Sequence, residues 1–308
     1  MYRRDFIPGQ NETRLRRAGE RQIEEMLKRL FTYILVLPIL TSTVWGEQET
    51  EPLHFGAITT VKPEIVKRRF EPLLEYLSEK LGRKIIFETG RNYDDTIEKF
   101  TDGTFDFGYI GPSPYIIACR RKPGSLKIVA GIVNGEERSP YFRSAIVTSK
   151  TSDIEKLSDL NGRRFAFGSP RSTLSFYMPW HILSRNGILK SLSGYDFLGR
   201  HDIVAKNVIM GIYDAGGIKM SVARKYSKYL KTIAKSEPVT DFAIVAHSSL
   251  DEETVRMLRS ILYSLDDPKI LRPIKSSLSG FAPRKDSDYD NLRRIMRRTE
   301  KEMERGFR

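Results

Sequence analysis

From Leu53 onward, short apolar strand signals alternate with amphipathic helical runs, and this period restricts the chain to layered α/β architecture. Leu53–His54–Phe55–Gly56–Ala57–Ile58 reads as a buried strand. Pro63 then opens a helix whose apolar face is Val66, Phe70, Leu73, Leu74, Leu77 and Leu81 and which Gly82 stops. Pro72 lies inside that helix, and its ring predicts a break into two pieces. A strand over 84–87, a helix over 93–101 and a strand over 106–110 follow. The last meets a loop at Gly111–Pro112–Ser113–Pro114, ahead of a helix from Tyr115 and a strand over 126–133.

Two extended segments, 144–148 and 241–246, are predicted to cross between lobes. The stretch between them is an α/β series of its own: helix 154–160, strand 164–167, helix 173–186, strand 195–198, helix 203–210, strand 214–217, helix 220–226 and strand 231–235. The expected domain organisation is therefore an extension over 1–25, an export signal over 26–46, a first lobe over 47–143, a second lobe over 144–240, and a return to the first lobe with C-terminal helices over 241–308.

The amino terminus supports export. Lys28 and Arg29 precede an apolar run from Leu30 to Leu40 that is too short to span a bilayer comfortably, and small Gly46 suits cleavage before Glu47. Met26 begins this pattern, so residues 1–25 read as a mis-assigned start or a disordered extension. No cysteine stands at the cleavage position, and the one cysteine, Cys119, excludes an internal disulfide and a Cys-rich metal site. The expected compartment is a periplasm.

Fifty-two Lys and Arg against 39 Asp and Glu give a formal charge of +13, which directs attention to anionic partners. The densest basic run, Arg293, Arg294, Arg297, Arg298 and Lys301, is interleaved with Glu300, Glu302 and Glu304 and with Leu292, Ile295 and Met296 at helical spacing. It reads as an amphipathic helix, and no zinc-finger spacing or stacking motif supports nucleic-acid binding. His54, His181 and His247 have no metal-ligand spacing. Without a Gly-x-Ser-x-Gly elbow, a Gly-Lys-Ser/Thr triplet or a paired-carboxylate motif, neither a catalytic residue nor a cofactor is expected.

The sharpest local chemistry is Gly168–Ser169–Pro170–Arg171–Ser172–Thr173–Leu174–Ser175, where a strand turns into a helix. Hydroxyls and unpaired N–H groups at a helix start suit an anion. The same residue types cap helices, so the segment reads either as a cap or as an anion seat.

Several segments together resemble the phosphate/phosphite/phosphonate-type periplasmic binding proteins of ABC transporters. They are Thr59–Thr60–x–x–Pro63 after the first strand, Pro72–Leu73–x–x–Tyr76–Leu77–Ser78, Asp106 to Pro112, and Leu160 to Ala166. The Ser172–Thr173 turn, His201 ahead of Gly211 to Gly216, and Gly280–Phe281–Ala282–Pro283 followed by Asp288–Tyr289–Asp290 complete the set. The resemblance spans about residues 53–292. It implies a two-lobed type II periplasmic binding protein with a hinge of two crossing segments and a ligand cleft between the lobes.

It further implies that Ser172 and Thr173 hold the oxyanion, with Ser175 as a substitute donor. His201 would contact the oxyanion, Asp214 would accept from a ligand hydroxyl or ammonium, and Tyr109, Thr59 and Thr60 would stand at the first lobe's edge. The family turn commonly reads Ser-Thr-Ser-Gly, so Leu174 and Ser175 are departures. Read from the residues alone, His201 beside Asp202 serves equally to cap a helix, Asp214 to begin a turn, and Tyr109 to pack a core. The implied partners are a small phosphonate, phosphate or phosphite and an inner-membrane ABC permease, with the protein itself a monomer. A sensory module of the same fold that signals to a membrane kinase is the alternative function.

Overall fold

The structure, a computed structural model, describes residues 25–26, 51–58, 62–135 and 138–305. The segment expected to direct export, 26–46, therefore lies outside the described residues apart from Met26, as do Thr59 and Thr60.

The first sheet collects β1 (Leu53–Ala57), β2 (Ile85–Glu88), β3 (Phe107–Ile110), β4 (Leu126–Asn134), β12 (Ala243–His247) and β13 (Leu278–Ala282) in the order β13-β4-β12-β3-β1-β2. The second holds β6 (Ser144–Ser149), β7 (Arg164–Phe167), β8 (Gly194–Phe197), β9 (Ala215–Lys219) and β10 (Leu230–Lys235) in the order β10-β6-β9-β7-β8. Both sheets follow one plan. Three parallel strands, β2-β1-β3 and β8-β7-β9, are flanked by an antiparallel strand, β12 and β6 respectively.

Those flanking strands are the segments expected to cross between lobes, and here the structure differs from the sequence reading. β6 is buried over 144–148 and β12 over its full length because each is an interior strand with neighbours on both sides. The chain changes sheets just outside them, through β5 (Tyr141–Phe142) and β11 (Val239–Thr240), which pair antiparallel as a separate two-stranded ribbon.

Helix α1 (Pro63–Leu81) is continuous through Pro72. Val66 and Phe70 before the proline and Leu73, Leu74 and Leu77 after it are buried in one cluster with Phe55 and Phe107. Burial worth roughly 1.5–3 kcal/mol per side chain outweighs the loss of about 3 kcal/mol from one missing backbone bond and a crowded ring. Gly82 ends the helix at φ 62°, a left-handed turn that spares it a Cβ clash.

Helix α2 (Tyr93–Asp102) is capped by Asn92, whose side chain accepts from the Asp95 N–H at 3.0 Å. Helix α3 starts at Pro112 rather than near Tyr115 and runs to Arg121; proline suits the first turn, where its missing N–H had no partner. In the second half, the expected helix over 173–186 is a wide π turn (Thr173–Tyr177) leading into α4 (Met178–Arg185). The expected helix over 154–160 is only a short 3₁₀ turn (Leu157–Leu160). Helices α5 (His201–Ile209) and α6 (Met220–Lys225) complete that half.

Helices α7 (Glu252–Ser264) and α8 (Pro268–Leu271) bury Val255, Leu258, Leu262 and Leu271 with the first sheet's core. The last helix, α9 (Asp290–Glu304), is amphipathic as expected and buries Leu292, Ile295 and Met296. It belongs to neither sheet alone. Glu300 binds Arg120 of α3 through both oxygens at 2.7 and 2.8 Å and accepts from the Tyr177 phenol at 3.1 Å, while Glu302 accepts from the Trp180 indole N–H at 3.1 Å.

Candidate functional site

A cavity of about 670 Å³ opens where the two sheets face each other. Its lining comes largely from just beyond the carboxyl ends of parallel strands: Ile58 after β1, Gly111 after β3, Ser172 and Thr173 after β7, and Lys219 with Met220 at the end of β9. In open α/β sheets that is where ligands bind, because the chain leaves neighbouring strands in opposite directions and opens a crevice.

At one end of the cavity two helix starts confront each other. The Ser172 side chain caps the second-sheet turn by accepting from the Ser175 N–H at 3.3 Å. Thr173 Oγ1 accepts from the Ser113 N–H at 3.0 Å and shares a 2.7 Å hydrogen bond with the Ser113 hydroxyl, which also reaches the Arg171 carbonyl at 2.7 Å. Ser113 stands in the first turn of α3, so groups of opposite halves meet here. Tyr93 at the start of α2 adds a phenol hydrogen-bonded to Ser172. Burial pushes its pKa up to about 12, so it remains a donor. Hydroxyls and N–H groups from two positive helix ends converge on one point, an arrangement that favours an anion.

His201 completes this end. It is 5% exposed, and its Nδ1 accepts from the Lys219 backbone N–H at 3.1 Å, which leaves the ring proton on Nε2. Burial first, and the Lys219 charge second, lower its pKa to about 3, so the ring is neutral at pH 7 and acts as a hydrogen-bond donor without a charge. Tyr109 lines the cavity wall, stacked on Phe242 at 4.6 Å and packed on Phe70 at 5.2 Å; burial drives its phenol well above its ordinary pKa.

Two expected site residues fall away from the cavity. Ser175 is fully buried; its Oγ points at Gly168, where an added Cβ would come within 2.0 Å of it, and it has no hydrogen-bond partner among the described residues. The wide turn places Ser175 on its inner side, under the strand end. Asp214 stands at the opposite, entering end of β9, where its carboxylate accepts from the Arg164 N–H at 2.8 Å and its carbonyl from the Thr148 hydroxyl at 2.8 Å. It ties β7 to β9 and does not line the cavity. Leu174 does line the cavity, and its carbonyl accepts from the Ser144 hydroxyl at 2.6 Å.

The sequence reading missed Ser113, Tyr93 and a set of cations. Among the described residues, Arg69, Arg143, Lys219, Arg224 and Lys275 line the cavity with one carboxylate, Asp241. Asp241 is fully buried; it pairs with Lys275 and accepts from the Asn134 amide at 3.0 Å and the Phe242 N–H at 2.8 Å. Gly111–Pro112–Ser113 carried a signal, a proline-opened helix after a strand. The cations carried none, since they stand far apart in a generally basic chain.

Two sheets built on one plan, exchanging the chain twice and enclosing a cavity with opposed helix starts, define a two-lobed solute-binding protein. The chain belongs to the family of ABC transporter phosphonate periplasmic substrate-binding proteins, which it matches over residues 55–289. It is 24% identical over 283 residues to the phosphate-import protein PhnD of Mycolicibacterium smegmatis, covering 83% of this chain and 87% of that one. It is 27% identical over 237 residues to the phosphonates-binding periplasmic protein of Escherichia coli, covering 73% and 69%. Among solved structures, PhnD1 of Prochlorococcus marinus in complex with methylphosphonate superposes with a TM-score of 0.73 at 24% identity, over 81% of this chain and 98% of that one. A phosphonate-transporter binding component of Pseudomonas aeruginosa gives 0.72 at 20%, over 82% and 88%.

Proposed function

We propose that this protein is the exported solute-binding component of an ABC importer, and that it captures a phosphonate or a chemically similar phosphorus oxyanion by closing its two lobes around it. The observation that carries this reading is the meeting of Ser113 with Thr173, whose hydroxyls and N–H come from two helix starts on opposite halves, beside Ser172. An anion placed between them gains bonds from both halves at once, which shifts the population towards the closed form. His201 Nε2–H and the Tyr93 phenol are the further donors.

In this reading, residues 26–46 direct export, residues 144–240 form the moving lobe, and 47–143 with 241–308 form its counterpart. Among the described residues no helix is long and apolar enough to cross a membrane. One chain encloses the whole cavity, so the protein acts as a monomer, binds without converting its ligand, and presents the closed form to a permease.

Removing both hydroxyls with Ser172→Ala and Thr173→Ala deletes two bonds to the anion, each worth about 1.5–3 kcal/mol, so methylphosphonate affinity measured by calorimetry falls 100-fold or more. The lost cap costs about 1 kcal/mol of stability and the Ser113 N–H left without Thr173 Oγ1 roughly 1–3 kcal/mol more, so thermal unfolding is measured alongside and shows a lowered midpoint with a retained fold. Unchanged affinity in the folded double variant would return this turn to plain capping.

A further inference from the structure

The cavity is larger and more positive than a simple alkylphosphonate needs. Its 670 Å³ falls in the range of sites that enclose drug-sized molecules, whereas methylphosphonate is a single phosphorus with four substituents. Of its five cations, Lys275 is satisfied by Asp241, and Arg143 gives one N–H to the Ser236 carbonyl at 2.7 Å. Among the described residues, Arg69, Lys219 and Arg224 have no carboxylate within ion-pair distance. A phosphonate dianion seated at Ser172 and Thr173 would leave this positive charge largely uncompensated in a closing, increasingly dry cleft.

We infer that the ligand is a phosphonate whose organic substituent carries a second anionic group, held by Arg69 and Lys219 while the phosphonate head sits between the helix starts. The inference rests on the oxyanion reading proposed above and adds the charge of the substituent. Arg69 of α1 and Lys219 at the end of β9 approach the cavity from opposite halves, so a second anion also draws the halves together. Burial, and after it the charges of Lys275 and Arg69, lower the Lys219 pKa to about 8, a balance that Asp241 and Asp202 oppose without overcoming. Among the described residues lining the cavity, the one carboxylate an ammonium-bearing substituent would meet is Asp241, already engaged by Lys275.

The test is calorimetric titration of the mature protein with methylphosphonate, 2-aminoethylphosphonate and phosphonoacetate, repeated on Arg69→Gln, a change on an exposed helix face. Phosphonoacetate is expected to bind at least 10-fold more tightly than methylphosphonate, with 2-aminoethylphosphonate the weakest, and Arg69→Gln is expected to pull the phosphonoacetate-to-methylphosphonate ratio towards one. Equal or weaker binding of phosphonoacetate, or a ratio indifferent to Arg69→Gln in the folded variant, overturns the inference and leaves the oxyanion reading standing. Binding of none of the three overturns both.

Discussion

Lys219 makes the electrostatics of the cleft measurable. Its ammonium is disfavoured chiefly by burial, then by Lys275 and Arg69, with Asp241 and Asp202 opposing, and its pKa falls to about 8. An anion in the cleft reverses that penalty and raises the pKa again. Between the unliganded and liganded values binding therefore takes up a proton, and affinity weakens as pH rises above about 8. Calorimetry in two buffers of different ionisation enthalpy at pH 8.5 is expected to report that uptake, and Lys219→Met to abolish it; a pH-independent affinity from 7 to 9.5 would contradict this account. His201, neutral down to about pH 3, contributes no such dependence.

Residue-scale legibility follows contact range. Ser172 and Thr173, which line the cavity, were marked by the local strand-to-helix turn, whereas His201 and Tyr109 were singled out through the resemblance, since from the residues alone they serve equally as a cap and as core. Ser113 lies 60 residues from Thr173, and Arg69 faces Lys219 across the cleft, so their meeting is set by the fold and by nothing local. For Asp214 the local pattern, a carboxylate before a strand, signalled the turn that the structure has, whereas the ligand role implied by the resemblance does not fit, because which end of the strand faces the cleft depends on sheet topology.

At the scale of elements, strand and helix order was legible almost throughout, because apolar period and punctuating Gly and Pro carry it. What local pattern could not supply was neighbours. The uninterrupted apolar runs of β6 and β12 suit a linker as well as an interior strand until the sheets are seen. Close strand approach is another such feature. A Cβ at Gly108 of β3 would come within 2.1 Å of the Gly56 carbonyl oxygen on β1, backbone that cannot yield. Gly108→Ala is expected to cost roughly 1–3 kcal/mol, the usual range for overpacking, in chemical denaturation, and to loosen the strand pair that positions Tyr109. Stability equal to wild type would show that the two strands can part freely.

Over the whole molecule, closure is written in contacts between halves. Ser113 with Thr173, Tyr93 with Ser172, and Arg171 with Asp94 at 3.1 Å fasten one end of the cleft, and α9 spans both halves behind it through Glu300 and Glu302. The Arg171–Asp94 pair is solvent-exposed enough to be worth at most about 1 kcal/mol, so the hydroxyl and N–H groups, able to exchange one another for an anion, are the switchable part. The most direct test of this arrangement is a crystal structure of the protein with methylphosphonate. The account predicts phosphorus between the Ser113 N–H and the Ser172 and Thr173 hydroxyls, with His201 Nε2 within hydrogen-bond distance of a phosphonate oxygen. Phosphonate bound outside this cavity, or within it with Ser113 and Thr173 still bonded to each other, would contradict it.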